Sequence, residues 1–326
     1  MPLFYDGVIP KSLGNLRGLQ TLDARQQFVF RHWFTNVAKL QNLRRLFTLK
    51  DNPVAISKGI GNLKELQVLK WVDIERSHPR VVEELPQLQQ LRKLGVLRLR
   101  REHYEKFFAS IREFNSLRSL GIGIVELESL KAAAGFLDSV PSPPKHLQSI
   151  LDSVPSPPKH LQSILDSVPS PPKHLQSIQL EGWIRKLPAW VSSLCNLTKV
   201  TLARTRLHDD AIVVLQQLPN LLLLRLQEHS YVGAKLTFRS AKFSKLKQLY
   251  INELNGLEEL VFEEGTLPEF QTLGIRWCEL KSGISGAEHL PKLEKLVLEY
   301  KVYVANLEEV QRQLGEHRPA LEIVDP

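Results

Sequence analysis

The sequence has little cysteine and no long hydrophobic run, and each absence excludes a class of protein. Two cysteines, Cys195 and Cys278, occur among 326 residues, which is too few for a disulfide framework and is typical of a reducing compartment. No stretch reaches the roughly 18 consecutive apolar residues of a membrane span. The first residues, MPLFYDGVIPKSLGNL, do not read as a charged and then apolar leader. We therefore expect a cytoplasmic protein with no membrane association.

Motifs for catalysis, metal binding and nucleotide binding are also missing from the sequence. None of the ten histidines stands beside a serine elbow or a cysteine motif. The two cysteines lie 83 positions apart without paired histidines, so they form no zinc pattern. No G-x-x-x-x-G-K-[ST] run is available to bind phosphates. The sequence therefore predicts a non-catalytic protein with no catalytic residue, no cofactor and no metal site.

The net charge of the chain is positive. A formal charge of +8 favours acidic partners through long-range attraction. The basic residues are scattered through leucine-rich segments and do not form a basic strip interleaved with aromatic residues. This distribution argues against a nucleic-acid partner and favours a protein.

Leucine returns along the chain at a near-constant interval. The run Phe270-x-x-Leu273-x-Ile275-x-x-Cys278-x-Leu280 follows the consensus of leucine-rich repeats in full. The second leucine-type position of each partial or full match is taken as an anchor, and the anchors are Leu22, Leu46, Leu69, Leu97, Leu120, Ile178, Val200, Leu224, Leu249, Leu273 and Leu296. The steps between them are 24, 23, 28, 23, 58, 22, 24, 25, 24 and 23 residues, and nine of the ten lie in or near the range of about 20–29.

This periodicity predicts an α/β fold, a leucine-rich-repeat solenoid (horseshoe) with a concave parallel β-sheet and convex short helices or 3-10 turns. Leucines spaced by three, such as Leu85, Leu88 and Leu91, suit the convex turns. Longer helices are expected over 129–137, 209–217 and 306–314. The last should begin with Asn306 as its cap and end at Gly315.

A tandem repetition accounts for the one long step. The segment LDSVPSPPKHLQSI occurs three times, at 137–150, 151–164 and 165–178. Its prolines exclude a helix or a central strand, while each HLQSI tail can pair as a strand. A duplicated gene model and a functional insertion both remain open. We divide the chain into N-terminal repeats (1–136, with a truncated and uncapped first unit), an insertion within one repeat (137–178) and C-terminal repeats ending in a capping helix (179–326).

Several stretches resemble the leucine-rich-repeat region of plant coiled-coil, nucleotide-binding disease-resistance proteins. They include IPKSLGNLRGLQTLDAR, RKLPAWVSSLCNLTKVTLARTRL, YVGAKLTF and EEGTLPEFQTLGIRWCEL. The resemblance implies a recognition domain of an intracellular immune receptor, acting in plant defence and innate immunity. Its partner would be a pathogen effector, a host guardee or a nucleotide-binding switch domain that this chain lacks. A freestanding signalling scaffold or decoy is the alternative, and the ectodomain of a surface receptor, suggested by Gly-Val-Ile-Pro at 7–10, ranks last.

The repeat register predicts which side chains face the partner, because side chains alternate along a strand. A basic patch is expected at Arg98, Arg100 and Arg101, and its conversion to glutamate should abolish partner capture without changing stability. The alternative is an ordinary solvated strand edge. The two cysteines are expected to be buried. The predicted partner-binding residues are Lys70, Arg98, Arg100, Arg101, Arg225, Tyr250, Arg276, Trp277 and Tyr300.

Overall fold

A computed structural model describes residues 11–25, 36–99, 101–124, 165–166, 172–184, 186–314 and 320–324 of the chain. The chain divides into two compact units, Met1–His174 (unit 1) and Leu175–Pro326 (unit 2). The division falls within the third copy of the tandem segment, and most of that segment lies outside the described residues. The boundaries at 136 and 178 therefore stay a prediction, and the helix expected over 129–137 also lies outside the described residues.

Unit 1 contains a sheet of five parallel strands that pair in chain order. Leu22, Leu46, Leu69, Leu94 and Leu120 occupy equivalent positions on successive strands, and the last four are buried. The strands are β1 (Thr21–Asp23), β2 (Arg45–Phe47), β3 (Val68–Asp73), β4 (Lys93–Leu99) and β5 (Ser119–Ile124).

This register corrects one anchor, because Leu94 and not Leu97 pairs with Leu69 and with Leu120. Beyond these paired leucines, β3 and β4 each contain an irregularity. Register shifts follow Leu69 in β3 and Val96 in β4, and the shifted stretches contain Trp71 and Arg98, whose φ angles are 58° and 52°. An extra residue in a strand moves the positions that follow it by one, so the ends of β3 and β4 are displaced relative to the next strand.

The segments between the strands of unit 1 form 3-10 turns and two helices. The leucines at 85, 88 and 91 are fully buried in one such segment, which confirms the expected inward packing of the turns. Four large side chains of the second helix are buried at helical spacing, as expected of an amphipathic helix. The elements are 3-10 turns at Lys11–Asn15, Val37–Lys39, Ile60–Asn62 and Leu85–Gln87, with α1 (Val81–Glu84) and α2 (Arg101–Arg112).

Unit 2 contains a sheet of seven parallel strands. Six anchors taken from the sequence, from Ile178 to Leu296, pair residue for residue on six of these strands and are confirmed. The seventh strand was not predicted, and its Leu321 pairs with Leu296. The strands are β6 (Ser177–Glu181), β7 (Lys199–Ala203), β8 (Leu223–Gln227), β10 (Gln248–Asn252), β12 (Thr272–Arg276), β15 (Lys295–Glu299) and β17 (Ala320–Val324).

Unit 2 also contains a second sheet, where the sequence led us to expect only short helices and 3-10 turns. Its strands carry two phenylalanines, Phe238 and Phe262, whose rings stack at 5.3 Å between centroids. Phe243 and Phe270 extend this fully buried group. The sheet consists of β9 (Lys235–Phe238), β11 (Glu259–Phe262) and β14 (Gly283–Ser285), and a separate pair is formed by β13 (Glu279–Leu280) and β16 (Tyr303–Val304).

The two helices expected in unit 2 are confirmed in position. They are α3 (Asp209–Leu215) and α4 (Leu307–Gln313). The capping role of Asn306 was wrong, because its side chain makes no capping bond with the helix. Its Oδ1 accepts from the N–H of Ile284 at 2.9 Å and its Nδ2 donates to the carbonyl of Ile284 at 2.7 Å. The helix is also followed by β17, so α4 does not close the sheet.

In the described ranges, no helix has the length and the apolar composition that crossing a membrane would require.

Candidate protein-binding surface

The main sheet of unit 2 exposes one side of its strands between the buried leucines. Leu224, Leu249 and Leu273 are buried in the core, while the residues that alternate with them lie on the other side of the sheet. Parallel pairing aligns these residues in two rows. The first row contains Thr201, Arg225, Tyr250, Gly274 and Val297, and the second contains Ala203, Gln227, Asn252, Arg276 and Glu299.

A left-handed residue follows the end of each of five strands in unit 2. These residues have φ angles between 49° and 56°, a conformation that costs a non-glycine residue about 1–3 kcal/mol. Their N–H groups continue the sheet, as when Trp277 donates to the carbonyl of Tyr300 at 3.0 Å. Strain of this kind persists where surrounding contacts impose it, and it concentrates at functional sites. The five residues are Arg204, Glu228, Glu253, Trp277 and Tyr300.

A groove of about 320 Å³ crosses strands β8 to β15, and both rows contribute to its lining. The ring of Tyr250 lies against Gly274, where an added Cβ would stand 2.5 Å from the ring atom Cδ1. The missing side chain of Gly274 therefore provides the space that the Tyr250 ring occupies. This places a phenol at the surface of the groove, next to Arg225 and Asn252.

Two arginines of the groove contact tyrosine rings in the same way. The Cζ atom of Arg225 lies 5.1 Å from the ring centroid of Tyr250, and that of Arg276 lies 5.1 Å from the ring centroid of Tyr300. Their charge environments differ. Nε of Arg276 donates to Oε2 of Glu299 at 2.8 Å, whereas in the described part of the chain no carboxylate lies within 4.0 Å of the Arg225 guanidinium.

Aromatic side chains continue this surface past the ends of β12 and β15. The rings of Trp277 and Tyr300 stack with 5.8 Å between centroids and an angle of 10°. Nζ of Lys301 lies 5.6 Å from the Trp277 ring, and 39% of Trp277 is exposed. We call the side chains of Arg225, Tyr250, Arg276, Trp277 and Tyr300 the aromatic-cationic face. The structure thus brings five of the nine sequence-predicted residues together.

The predicted residues of unit 1 lie in a different environment. The ring of Trp71 covers Gly95 and Gly121, since an added Cβ would meet it at 3.2 Å and 2.9 Å. Nζ of Lys70, the predicted residue here, lies 5.4 Å from the same ring. An indole laid over two glycines fills this part of the sheet surface with apolar atoms.

The basic patch predicted at Arg98, Arg100 and Arg101 stays a prediction, because the structure describes the side chain of Arg98 but not those of the other two. Arg98 forms an ion pair with Asp73, whose side chain is 1% exposed while that of Arg98 is 21% exposed. Arg101 begins α2 instead of continuing a strand, and Arg100 lies outside the described residues. Replacing Arg98 would remove the main cation beside a buried carboxylate, so we now expect a loss of stability where the sequence suggested none.

The two cysteines have different environments. Cys278 is buried, as expected; its thiol donates to the carbonyl of Arg276 at 3.2 Å. Burial raises the pKa of the thiol, which keeps it protonated and unreactive. Cys195 is exposed, which corrects the expectation of burial. It lies between the inward-facing Leu194 and Leu197, so the turn buries the leucines and directs the thiol outward.

Sequence reasoning named three of the ten residues that line the groove and missed seven, among them Asn252, Gly274 and Glu299. The signal for Glu299 was present, because it occupies the position of Arg276 in the next repeat. Gly274 stands where most repeats carry a larger residue. Within the described ranges, no group of three or more histidine, cysteine, aspartate or glutamate side chains has an arrangement that could hold a metal ion.

Comparisons with known proteins place this architecture in a family. Disease resistance protein RPM1 of Arabidopsis thaliana is 26% identical over 258 residues, which cover 79% of this chain and 23% of that protein. Disease resistance protein Pik-2 of Oryza sativa subsp. japonica is 28% identical over 173 residues, or 51% of this chain and 14% of that protein. The chain thus matches less than a quarter of the length of either relative.

A solved leucine-rich-repeat protein of Leptospira interrogans covers 97% of this chain and 92% of its own, at 16% identity and a TM-score of 0.39. The family profile described as "Leucine-rich repeat region" matches residues 6–322. With the repeat register and the parallel sheets of both units, this match establishes that the chain belongs to the leucine-rich repeat region family and resembles plant disease resistance proteins.

Proposed function

We propose that this chain is the non-catalytic recognition domain of an intracellular plant immune receptor and that it binds a protein through the aromatic-cationic face. The partner is a pathogen effector, a host guardee or the nucleotide-binding switch domain of a receptor. The similarity to disease resistance proteins supports the role in defence.

The observation that carries the proposal is the grouping of side chains on the aromatic-cationic face. Arginine, tyrosine and tryptophan are the residues that most often contribute large binding energies at protein interfaces. Five of them lie on or just past four neighbouring strands, β8, β10, β12 and β15. The anchor leucines of the same strands, Leu224, Leu249, Leu273 and Leu296, are buried in the core and are unavailable to a partner.

The chemistry of this face suits binding better than catalysis. Its cations are guanidinium groups, which stay protonated at all physiological pH values and donate hydrogen bonds without exchanging protons. Tyrosine and tryptophan rings supply contact area and few rotatable bonds to immobilise. The presence of two unpaired cysteines supports the assignment to a reducing compartment, the cytoplasm.

The test is a comparison of captured proteins in leaf tissue. The tagged chain is expressed in leaves inoculated with a pathogen, as wild type and as a face variant carrying Arg225→Gln, Tyr250→Ala and Trp277→Ala. The matched control is Lys242→Gln, an exposed cation in the turn after β9 that is no part of the face. Proteins that co-purify are quantified by mass spectrometry.

We expect at least one protein to be retained by the wild type and the control and to be reduced about tenfold or more by the face variant, which corresponds to about 1.4 kcal/mol or more of binding free energy. Circular dichroism melting should be alike for all three chains, since the altered side chains lie outside the core. A set of captured proteins that is the same for all three chains would contradict the proposal.

A further inference from the structure

We infer that Arg225 is the specificity-determining residue of the aromatic-cationic face and that it binds an aspartate or glutamate side chain in an extended segment of the protein partner. The inference rests on the proposed function and names the chemistry of the partner at that site.

Two arginines of the face have the same aromatic support but differ in charge environment. Each guanidinium lies 5.1 Å from a tyrosine centroid. The charge of Arg276 is already compensated by Glu299. Arg225 makes no ion pair within the described residues, and it is half-buried beside the groove. A partner carboxylate therefore gains most from Arg225.

The aromatic contact leaves the hydrogen-bond donors of Arg225 available. A cation–π contact orients the guanidinium but satisfies no N–H group with a conventional acceptor. The planar fork of the guanidinium matches a carboxylate and can bind both of its oxygens at once. Tyr250 thus holds the cation in place before the partner arrives, which reduces the entropy lost on binding.

Charge also sets the direction in which a carboxylate would enter the groove. Glu299 lies at the opposite side of the groove from Arg225, two strands beyond Tyr250, and is paired with Arg276. A partner carboxylate gains little from that neutralised pair and is attracted at Arg225, so the charges of the groove orient an acidic segment.

The side-chain amide of Asn252 favours a peptide segment as the occupant. The Oδ1 atom of Asn252, one strand away from Arg225, is shielded from solvent and has no hydrogen-bond partner among the described residues. A shielded polar atom without a partner costs free energy until one is supplied. A peptide whose acidic side chain reaches Arg225 also carries backbone N–H groups, and one of them can donate to this Oδ1 once the Asn252 amide turns the atom toward the groove.

The experiment selects short random peptides displayed on phage against the immobilised wild-type chain. Selected peptides are synthesised and their dissociation constants are measured with the wild type and with four variants, Arg225→Gln, Arg276→Gln, Tyr250→Ala and Trp277→Ala. Each acidic residue of a selected peptide is also replaced by its amide. The pair Arg225→Gln and Arg276→Gln is the matched control, since both remove a guanidinium from a tyrosine ring.

We expect peptides that depend on Tyr250 to be enriched in aspartate and glutamate. Arg225→Gln should weaken them about tenfold or more, as is typical for the loss of a charged hydrogen bond. Arg276→Gln should change the dissociation constant about threefold or less, because the Arg276 guanidinium is already paired with Glu299. The amide form of the peptide should bind the wild type as weakly as the acidic form binds Arg225→Gln, and should lose nothing further on that variant.

The outcomes separate the two proposals. Peptides that depend on Tyr250 or Trp277 but are not acidic, or that are weakened equally by both arginine variants, overturn the role of Arg225 and leave the proposed function standing. Selected peptides that are indifferent to all four variants contradict the proposed function itself.

Discussion

The two units lay an aromatic ring over glycine on the surface of their sheets, yet the surfaces that result are different. In unit 1 the Trp71 ring spans Gly95 and Gly121 and the nearby cation, Arg98, is paired with the buried Asp73. In unit 2 the smaller Tyr250 ring covers a single glycine and leaves a groove beside it. The cation next to that groove, Arg225, has no carboxylate partner in the described residues.

The difference shows that an outward-facing position in a repeat does not by itself make a side chain free to bind a partner. Its availability depends on the residues that the neighbouring strands bring beside it. Arg98 and Arg276 each form an ion pair with a carboxylate one repeat away. Beside Arg225, the second-row residues Gln227 and Asn252 are uncharged amides.

The largest expected change in stability comes from removing the ion pair between Arg98 and Asp73 in unit 1. Arg98→Gln should lower the free energy of unfolding by about 3 kcal/mol, because it leaves Asp73 buried without its main cation. We expect the low end of the usual range, since the more exposed Arg76 lies 3.6 Å from the same carboxylate. Urea unfolding followed by circular dichroism measures this change.

The matched variant in unit 2 is Arg276→Gln, which breaks an exposed ion pair and should cost about 1 kcal/mol or less. If both variants lost the same free energy of unfolding, the ion pairs of the two units would contribute equally to stability, which would contradict this comparison.

A smaller effect is expected at the glycines under the aromatic rings. In Gly95→Ala the new Cβ would stand 3.0 Å from the backbone nitrogen of Trp71 and 3.2 Å from its ring. Because backbone cannot move aside as a ring can, we expect a loss of about 1–3 kcal/mol of stability. The same urea titration, together with a shift in tryptophan fluorescence, measures the change.

Gly274→Ala is the counterpart in unit 2. The three atoms nearest to its new Cβ all belong to the Tyr250 ring, and that ring can rotate into the groove. Stability should fall by less than about 1 kcal/mol, while binding of Tyr250-dependent peptides should weaken. A larger stability loss at Gly274 than at Gly95 would contradict the distinction between a filled surface and an open groove.

Much of the fold could be predicted from the sequence because buried leucines repeat at an interval fixed by the coil length. The error at Leu97 has a local cause. Leu91-x-x-Leu94-x-Val96 and Leu94-x-x-Leu97-x-Leu99 both fit the consensus, so spacing alone cannot choose between them. The pairing of Leu94 with Leu69 and with Leu120 decides the register, and this contact between neighbouring repeats is one that no short pattern encodes.

The second sheet of unit 2 was not predictable from the repeat pattern. Its strands have three or four residues, too few to produce a clear alternation. They form because adjacent coils bring Phe238 and Phe262 together, a contact between residues that are distant in sequence.

The site was predictable in composition but not in its electrostatics. The register identified Arg225, Tyr250, Arg276, Trp277 and Tyr300 as outward-facing, and the structure brings them together. Which arginine is free depends on pairs that are a full repeat apart, such as Arg276 with Glu299. The register read from the sequence already aligned Arg276 with Glu299, whereas the pairing of Arg98 with Asp73 was hidden by the irregularities between them.

Hydroxyl-radical footprinting with mass spectrometry tests the central claim most directly, because it reads the solvent exposure of aromatic side chains in both units at once. The chain is oxidised alone and with the partner recovered by its dependence on the aromatic-cationic face. We predict that the partner protects Tyr250, Trp277 and Tyr300 and leaves the oxidation of Trp71 unchanged. Protection of Trp71 with no change at Tyr250 would contradict the assignment of recognition to unit 2.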